Sequence, residues 1–385
     1  MKYYLVGIKG TGMSSLAIML KQRGHEVLGS DIDKYIYTQD NLLNNHIRVL
    51  TYNINNLKED YFYIIQGENN SLEAEYIKKH YAWLYYTDFI ARLSFYKIAV
   101  SGTHGKTTVT SILSHIFKEA NYIIGNSCGH GNSNSNLLIF ESCEYKDHFL
   151  KYSPDIGIIL NVEMDHVDYF KDYKSLKESF IKFSNNSKLC IYNGDNIKTN
   201  GISFGYNKDN DYIIKDNLII HNNKIHEINY TPLSKGMMYD FCAAYIVCDI
   251  LKKPFDISNF KMPKKRFNEF IYKNNYIIDD YAHHPSELKN VIELINNKYK
   301  QDPIIIFEPH QFERLKYFKN DFYNILSHYE SYIMPLYNAR SKVAHDAEFF
   351  IKEPLKKIEY FNINNYKNQV ILFASASKTF KDVFF

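Results

Sequence analysis

An apolar run, Lys97-Ile98-Ala99-Val100, leads into Ser101-Gly102-Thr103-His104-Gly105-Lys106-Thr107-Thr108. Two glycines, a lysine and hydroxyls at the mouth of a helix are the parts needed to hold a polyphosphate. Amides of a glycine turn and of a helix N-terminus point at an anion, and a lysine adds a point charge. A threonine hydroxyl after the lysine can ligate Mg²⁺. The spacing is the short form G-x-x-G-K-T, because Val100 stands where the longer Walker loop has a glycine.

Two further sets of chemical groups follow apolar runs. Glu141 ends Leu137-Leu138-Ile139-Phe140, and Asn161-Val162-Glu163-Met164-Asp165-His166, with Asp168 close by, follows Ile156-Gly157-Ile158-Ile159-Leu160. Carboxylates and an imidazole at the carboxyl ends of neighbouring strands sit on the rim where α/β sheets bind ligands, and beside a phosphate loop they are candidate Mg²⁺ ligands. Asp279-Asp280-Tyr281-Ala282-His283-His284-Pro285 and Glu308-Pro309-His310-Gln311-Phe312-Glu313-Arg314 form the last set. Its histidines and Arg314 suit a small anionic substrate, since a guanidinium grips a carboxylate through paired N–H bonds. The competing structural roles are helix capping by His284 and a surface ion pair for Arg314. Near the start, Gly7-x-x-Gly10-x-Gly12 precedes Asp31 by nineteen residues. That is the outline of a nucleotide-binding turn, and equally of a purely structural one.

These groups need strands and helices to place them, and the pattern supplies both. Val109, Ile112, Leu113, Ile116 and Phe117 fall on one face of a helix after the phosphate loop. Tyr3-Tyr4-Leu5-Val6 reads as a strand, Met13, Leu16, Ala17 and Leu20 as a helix face stopped by Gly24, and Val27-Leu28 as a strand ending near Asp31. In the last third, Tyr276-Ile277-Ile278 leads to a helix starting at Pro285 with Leu288, Val291, Ile292 and Ile295 buried. Strands at Ile304–Phe307, Tyr332–Met334 and Val370–Phe373 complete an expected parallel sheet. At 385 residues the chain has room for two or three domains of about 150 residues each.

The bulk composition narrows the function classes. An apolar content of 45% excludes a disordered chain. A formal charge of +3 supplies no basic field for nucleic acid. Five scattered cysteines without a C-x-x-C pair read as reduced thiols, not as a disulfide frame or zinc site. No apolar run approaches the about 18 residues that span a bilayer, and no signal-peptide pattern is present, so a cytoplasmic protein is expected.

In order along the chain, Gly7-Ile8-Lys9-Gly10-Thr11-Gly12-Met13-Ser14, the 102–108 loop, Glu141-x-x-Glu144-Tyr145, Asn161-x-x-x-Asp165-His166, Arg266-Phe267, Asp280-Tyr281-Ala282-His283-His284-Pro285 and Pro309-His310 resemble the Mur ligase family. The pattern is most similar to the branch that joins L-alanine to UDP-N-acetylmuramate. The resemblance implies an α/β fold of three domains: a Rossmann-like UDP-sugar-binding domain over 1–95, a P-loop ATPase domain over 96–262 and a Rossmann-like amino-acid-binding domain over 263–385. It implies ATP and Mg²⁺ as cofactors, and a monomer or weak homodimer. By similarity, Gly102, Thr103, His104, Gly105, Lys106, Thr107, Thr108, Asn161 and Arg266 would meet the nucleotide. Thr107 and Glu141 would hold one Mg²⁺ and His166 a second, while Gly10, Gly12 and Asp31 would line the UDP pocket. Tyr281, His283 and Arg314 would face the amino acid, and Lys106, His166, His283 and Arg314 would carry the chemistry.

The chain departs from the family pattern in places. The stretch Ser234-Lys235-Gly236-Met237-Met238-Tyr239-Asp240-Phe241 lacks the His and both Asn of the family's G-x-H-N-x-x-N adenosine motif. Lys265 stands where a second arginine is frequent, Gln311 and Leu315 replace other residues around Arg314, and Ala374-Ser375-Ala376-Ser377 occupies a usually glycine-rich turn. A related ligase that attaches a recycled tripeptide, and a nucleotide-binding homologue with impaired turnover, are the alternative readings.

Overall fold

Strand β-propensity at the first residues and helical periodicity directly after them produce alternating parallel strands and helices. The computed structural model describes residues 1–67, 69–231, 234–337, 347–358 and 361–384. These form three sheets.

The first has five parallel strands in the order Arg48–Thr51, Glu26–Asp31, Lys2–Val6, Phe62–Ile65, Trp83–Tyr85. Tyr4, Leu5 and Val6 are wholly buried, as expected of a central parallel strand covered on both faces. Helix Thr11–Gln22 lays Met13, Leu16, Ala17 and Leu20 inward, and Gly24, at φ +86°, ends it with its N–H on the Lys21 carbonyl (3.0 Å).

The second sheet has ten strands. Strand Tyr96–Ser101 runs between Ile156–Ile159 and Leu137–Glu141, all parallel, so the phosphate loop and both rim segments leave the sheet on the same side. Each side of this core ends in antiparallel pairing. Asn121–Ile124 joins it in parallel and pairs with Cys128–His130 antiparallel on one side; on the other, Tyr212–Lys215 joins in parallel and leads the antiparallel meander Leu218–His221, Lys224–Glu227. The meander lies outside what the strand pattern of the sequence predicts. Its last turn is Asn222-Asn223, both at positive φ (48° and 60°), which is the backbone a two-residue hairpin needs.

The third sheet has six strands, ordered Asn268–Tyr272, Asn275–Asp280, Val370–Ala374, Ile304–Phe307, Ser331–Ile333, Lys356–Lys357. All pairs are parallel except the first, so the expected parallel sheet carries an antiparallel edge strand. That strand, Asn-Glu-Phe-Ile-Tyr, has no fully buried residue and leaves Ile271 exposed, so its short apolar run does not mark it as a core strand. Pro285 opens helix Pro285–Tyr299, with His284 as its N-cap accepting from the Ser286 amide. Among the described residues, no helix is long and apolar enough to cross a membrane.

The first two sheets share one apolar cluster, from Leu5 and Leu16 on one to Ala99, Phe140 and Phe183 on the other. Helix Thr11–Gln22 lies so close to strand Cys128–His130 that a Cβ on Gly129 would stand 2.0 Å from the Ser15 carbonyl oxygen. A Cβ on Gly131 would be equally close to that of Met19. Ser15 Oγ donates to the Ile124 carbonyl (2.6 Å), and Ser14 Oγ to Ser127 Oγ (2.9 Å).

Candidate active site

The loop after Ser101 is shaped by its glycines. Gly102 has φ +140° and a Cβ there would meet Leu160 Cβ at 3.0 Å; Gly105 has φ +84° and a Cβ there would meet Asp240 Oδ1 at 2.3 Å. Both positions are therefore closed to other residues by conformation and by space. Thr103 Oγ1 ties the loop to the neighbouring rim by donating to the Glu163 carbonyl (3.0 Å) and accepting the Glu163 amide (2.9 Å). Asn161 brackets His104, accepting its amide at 2.8 Å and donating to its carbonyl at 3.1 Å. Thr108 is buried at the start of helix Lys106–Ile116.

Lys106 folds back over this loop. Its ammonium donates to the Gly102 and Thr103 carbonyls and pairs with Glu144, Nζ to Oε2 at 3.0 Å. Burial works against the charge, but Glu144 outweighs burial and the ammonium's pKa moves upward. Glu144, 1% exposed as a side chain, also faces His166 Nε2 at 3.5 Å. Its own pKa is lowered to about 2: burial would raise it, and Lys106 and His166 more than reverse that. His166 sits at φ +51°, a strained position of the kind that collects at functional sites. Burial opposes its protonation, yet Cys143, Glu144 and Asp165 raise its pKa to about 10. One ligand atom each from Cys143, Glu144 and His166 lie within 4.8 Å of one another.

Glu141 lies beside this group with different company. It accepts the Gly125 amide (2.6 Å) and the Thr107 hydroxyl, and burial raises its pKa. Gly125 is what admits it, since a Cβ there would stand 2.8 Å from Glu141 Oε2. A half-buried carboxylate held by a hydroxyl and an amide, with Thr107 at its side, is a donor set suited to a hard divalent cation.

The third sheet closes over the loop. Arg314, 5% exposed, grips Asp165 with a fork: Nε to Oδ1 at 2.9 Å and Nη2 to Oδ2 at 3.0 Å. Its remaining nitrogen, Nη1, faces His310 Nδ1 at 3.1 Å. Burial opposes the Asp165 charge, but Arg314 holds this carboxylate well below the usual range. The guanidinium predicted to meet an amino acid thus spans two sheets, its fork filled by the protein's own carboxylate. His104 of the loop reaches Glu287 (Nδ1 to Oε1, 3.3 Å) and Ser286 Oγ (Nε2, 3.0 Å) on helix Pro285–Tyr299. Burial disfavours its charge, and Glu287 and Glu163 overcome that to raise its pKa to about 9. Glu287 also takes His283 Nδ1 at 3.0 Å and Arg266 Nη1 at 3.4 Å. Arg266 lies over the Tyr281 ring (5.2 Å), and Lys265 over the same ring (5.8 Å). His283 and His310 meet edge to face at 5.3 Å.

The N-terminal turn is built differently. Asp31 spends its carboxylate on the chain itself, Oδ2 accepting the Lys9 amide (2.7 Å) and Oδ1 the Ile32 amide (2.8 Å). Gly10 is filled over by Gln66, and Gly12 by the Tyr86 hydroxyl, a Cβ on Gly12 standing 2.9 Å from that oxygen. Tyr86 links this turn to the centre: burial first, then the charges of Glu141 and Cys143, push its phenol upward. Glu144 and Glu287, absent from the predicted set, are the acids that organise the site. The i,i+4 spacing of His283 and Glu287 is a local signal for the second; the Asp165–Arg314 pair, 149 residues apart, has none. In the altered 234–241 stretch, Tyr239 donates to Asp195 (2.9 Å) and packs edge-on against Tyr206 (5.2 Å). Ser375 and Ser377, in the turn without glycines, both donate to Glu308 Oε2 (2.6 and 2.5 Å).

Known proteins share this architecture. The family model described as Mur ligase family, catalytic domain, matches residues 2–93, and the one described as Mur ligase middle domain matches residues 100–243. Among solved structures, UDP-N-acetylmuramate–alanine ligase from Thermotoga maritima superposes with TM-score 0.75 at 20% identity, covering 98% of this chain and 96% of that one. A murein peptide ligase from Psychrobacter arcticus gives 0.70 at 16% identity, again over 98% and 96%. A pseudomurein peptide ligase type C from Methanothermus fervidus gives 0.63 at 19%, over 97% of each chain. At these identities the likeness is one of fold, and the two family models carry the assignment: this chain belongs to the Mur ligase family, whose members are ATP-dependent, ADP-forming amide ligases.

Proposed function

We propose that this protein joins L-alanine to the lactyl carboxylate of UDP-N-acetylmuramate in peptidoglycan precursor synthesis, converting ATP to ADP and phosphate. The observation that carries the reading is the contact between the phosphate loop and the Asp280–Glu287 turn through His104, Ser286 and Glu287. It brings the place where a carboxylate would be phosphorylated next to the place where an amine would attack. A free carboxylate is a poor electrophile because it would have to expel oxide; phosphorylation gives it a leaving group. The amine then attacks the acyl phosphate, and phosphate departs.

In this reading the loop amides and Lys106 hold the β/γ-phosphates, and Lys106 stabilises charge on the phosphoryl group in flight. Asn161 keeps the loop in shape at His104, and Arg266 faces the acyl phosphate. Thr107 and Glu141 would hold one Mg²⁺, and His166 a second. When bound, Mg²⁺ would neutralise phosphate charge. His283 and Tyr281 line the amino-acid side, with Arg314 joining once its fork on Asp165 is shared or released. The units 1–95, 96–262 and 263–385 take the UDP-sugar, the ATP and the amino acid respectively, in the cytoplasm where nucleotide substrates are found.

The test is ADP release by the purified chain with UDP-N-acetylmuramate, ATP and Mg²⁺, with L-alanine, glycine, L-serine or a muropeptide tripeptide added separately. Release with L-alanine supports the reading. Release with the tripeptide alone moves the protein to a recycling role, and release with none of them ends the proposal. Lys106→Ala should lower turnover about 10²–10³-fold while the chain stays folded.

A further inference from the structure

The Asn290 carboxamide stands where a side chain at position 236 would be. Gly236 lies in the first turn of helix Lys235–Ile250, and a Cβ there would be 2.9 Å from Asn290 Nδ2, 3.3 Å from its Cγ and 3.4 Å from its Oδ1. Asn290 belongs to helix Pro285–Tyr299 of the third sheet, so the two helices meet at this point because position 236 has no side chain. The carboxamide is half-buried and makes no hydrogen bond to any described residue. One donor and one acceptor are left side by side.

This spot is tied to the phosphate loop. Asp240 follows Gly236 by four residues, hence on the same helix face and about 6 Å further along the axis. Its carboxyl abuts the loop, since a Cβ on Gly105 would stand 2.3 Å from Asp240 Oδ1. Asp240 is 8% exposed, and its carboxyl too has no hydrogen-bond partner among the described residues. Burial pushes its pKa well above the ordinary carboxylate range, and Arg266 and His104 offset only part of that. A phosphate loop, a buried carboxyl and an unpaired carboxamide therefore follow in line. Aromatic surface flanks them: Tyr206 and Tyr239 pack edge to face at 5.2 Å, and Lys235 Nζ lies 5.8 Å from the Tyr206 ring. Glu293, three residues beyond Asn290, acts on the Tyr206 phenol, which burial first and then this charge push up to about 12.

A nucleoside phosphate has its parts in the same order. Its sugar hydroxyls donate to a carboxyl group, and its base stacks on aromatic rings. The 6-amino group of adenine and the ring nitrogen beside it are a donor next to an acceptor, which a carboxamide matches with two hydrogen bonds. We propose that Asn290 reads this edge of the ATP whose phosphates occupy the 102–108 loop in the reaction proposed above, and so selects the base. Asp240 takes a sugar hydroxyl between the two. The loop and Gly236 belong to the second sheet's unit and Asn290 to the third, so the base is read only while the two are docked.

The experiment titrates the full chain calorimetrically with ADP and with purine riboside 5′-diphosphate, which lacks the 6-amino group, in Mg²⁺ without sugar nucleotide or amino acid. The unaltered chain should bind ADP more than about tenfold more tightly than the analogue. Asn290→Ala should weaken ADP by about the same factor and the analogue far less, so that the preference collapses. Gly236→Ala, which keeps Asn290 but pushes its carboxamide aside, should do the same. Lys106→Ala should weaken both nucleotides equally, since their phosphates are identical. No binding or no preference in the unaltered chain overturns the assignment, as does a preference that survives both Asn290→Ala and Gly236→Ala. Nucleotide bound without preference leaves the ligase reading standing, while a clear preference without amino-acid-dependent ADP release does the reverse.

Discussion

The two joins between the three sheets differ in what dominates them. Between the first and second, helix Thr11–Gln22 presses its backbone onto Gly129 and Gly131 within a continuous apolar cluster, with neutral hydrogen bonds such as Ser14 to Ser127 at its edge. Between the second and third, where Leu294 and Phe267 supply a smaller apolar contact, the close contacts at the site are ionic and hydrogen-bonded: Asp165 with Arg314, His104 with Glu287 and Ser286, Met164 with His284. Close-packed apolar contact is short-ranged and indifferent to pH, while buried ion pairs hold strongly only when both partners are present and charged. The first join acts as a permanent weld. The second is a latch that charge can open, and it lies across the proposed reaction centre.

Four measurements test this contrast. The largest effect is expected from Arg314→Met, which leaves the Asp165 carboxylate buried without its fork. Docking should weaken by about 3–5 kcal/mol, seen as a larger radius of gyration in solution scattering with little change in melting of the first two units. An unchanged scattering curve would mean that other contacts hold the join. Gly129→Ala attacks the weld instead. Its Cβ would press on the Ser15 carbonyl, and thermal unfolding should report a loss of about 1–3 kcal/mol without any domain opening.

Acidity distinguishes the two joins as well. The pKa of His104 is raised to about 9 from an unfolded value near 6.5, so its contribution is complete below about pH 6.5 and is lost as pH rises through 9. Docking should loosen over that window by about 1–3 kcal/mol, and His104→Gln should flatten the response. His166 and Glu144 pair with Lys106, Cys143, Asp165 and each other inside the second unit, so they set limbs of that unit's own stability. His166 titrates near 10, and Glu144, its pKa lowered to about 2, gives a contribution present above about pH 4.5 and lost as pH falls toward 2. The apolar join should show no alkaline loosening. The smallest change is Ser14→Ala, which removes one neutral hydrogen bond to Ser127 and should cost about 1 kcal/mol by calorimetry.

Much of this was legible in the chain, for local reasons. The phosphate loop is contiguous, its glycines are dictated by φ and space, and the parallel strands announce themselves as unbroken apolar runs such as Ile304–Phe307. Pro285 and Gly24 mark helix ends through backbone chemistry that a sequence displays. What stayed hidden was pairing across distance. Glu144 looks like one more loop acid until Lys106 folds onto it, and Arg314 looks like a substrate clamp until Asp165 fills its fork. The meander through Tyr212–Glu227 and the edge strand Asn268–Tyr272 were missed because their apolar runs, such as Tyr212-Ile213-Ile214 and Leu218-Ile219-Ile220, are only three residues long and broken by polar turns.

The salt bridge inside the phosphate loop sets terms for whatever enters it. Lys106 is not a bare cation waiting for anions; its ammonium is spent on the loop carbonyls and on Glu144 at 3.0 Å, a carboxylate that also faces His166. A lone phosphate or sulfate meets an ammonium already engaged, beside a carboxylate that repels it. Only a ligand that brings its own compensation for Glu144, or enough amide contacts to draw the lysine away, can claim the charge. The loop is thereby insulated from the simple anions of its surroundings, and its selectivity begins before any base or sugar is read.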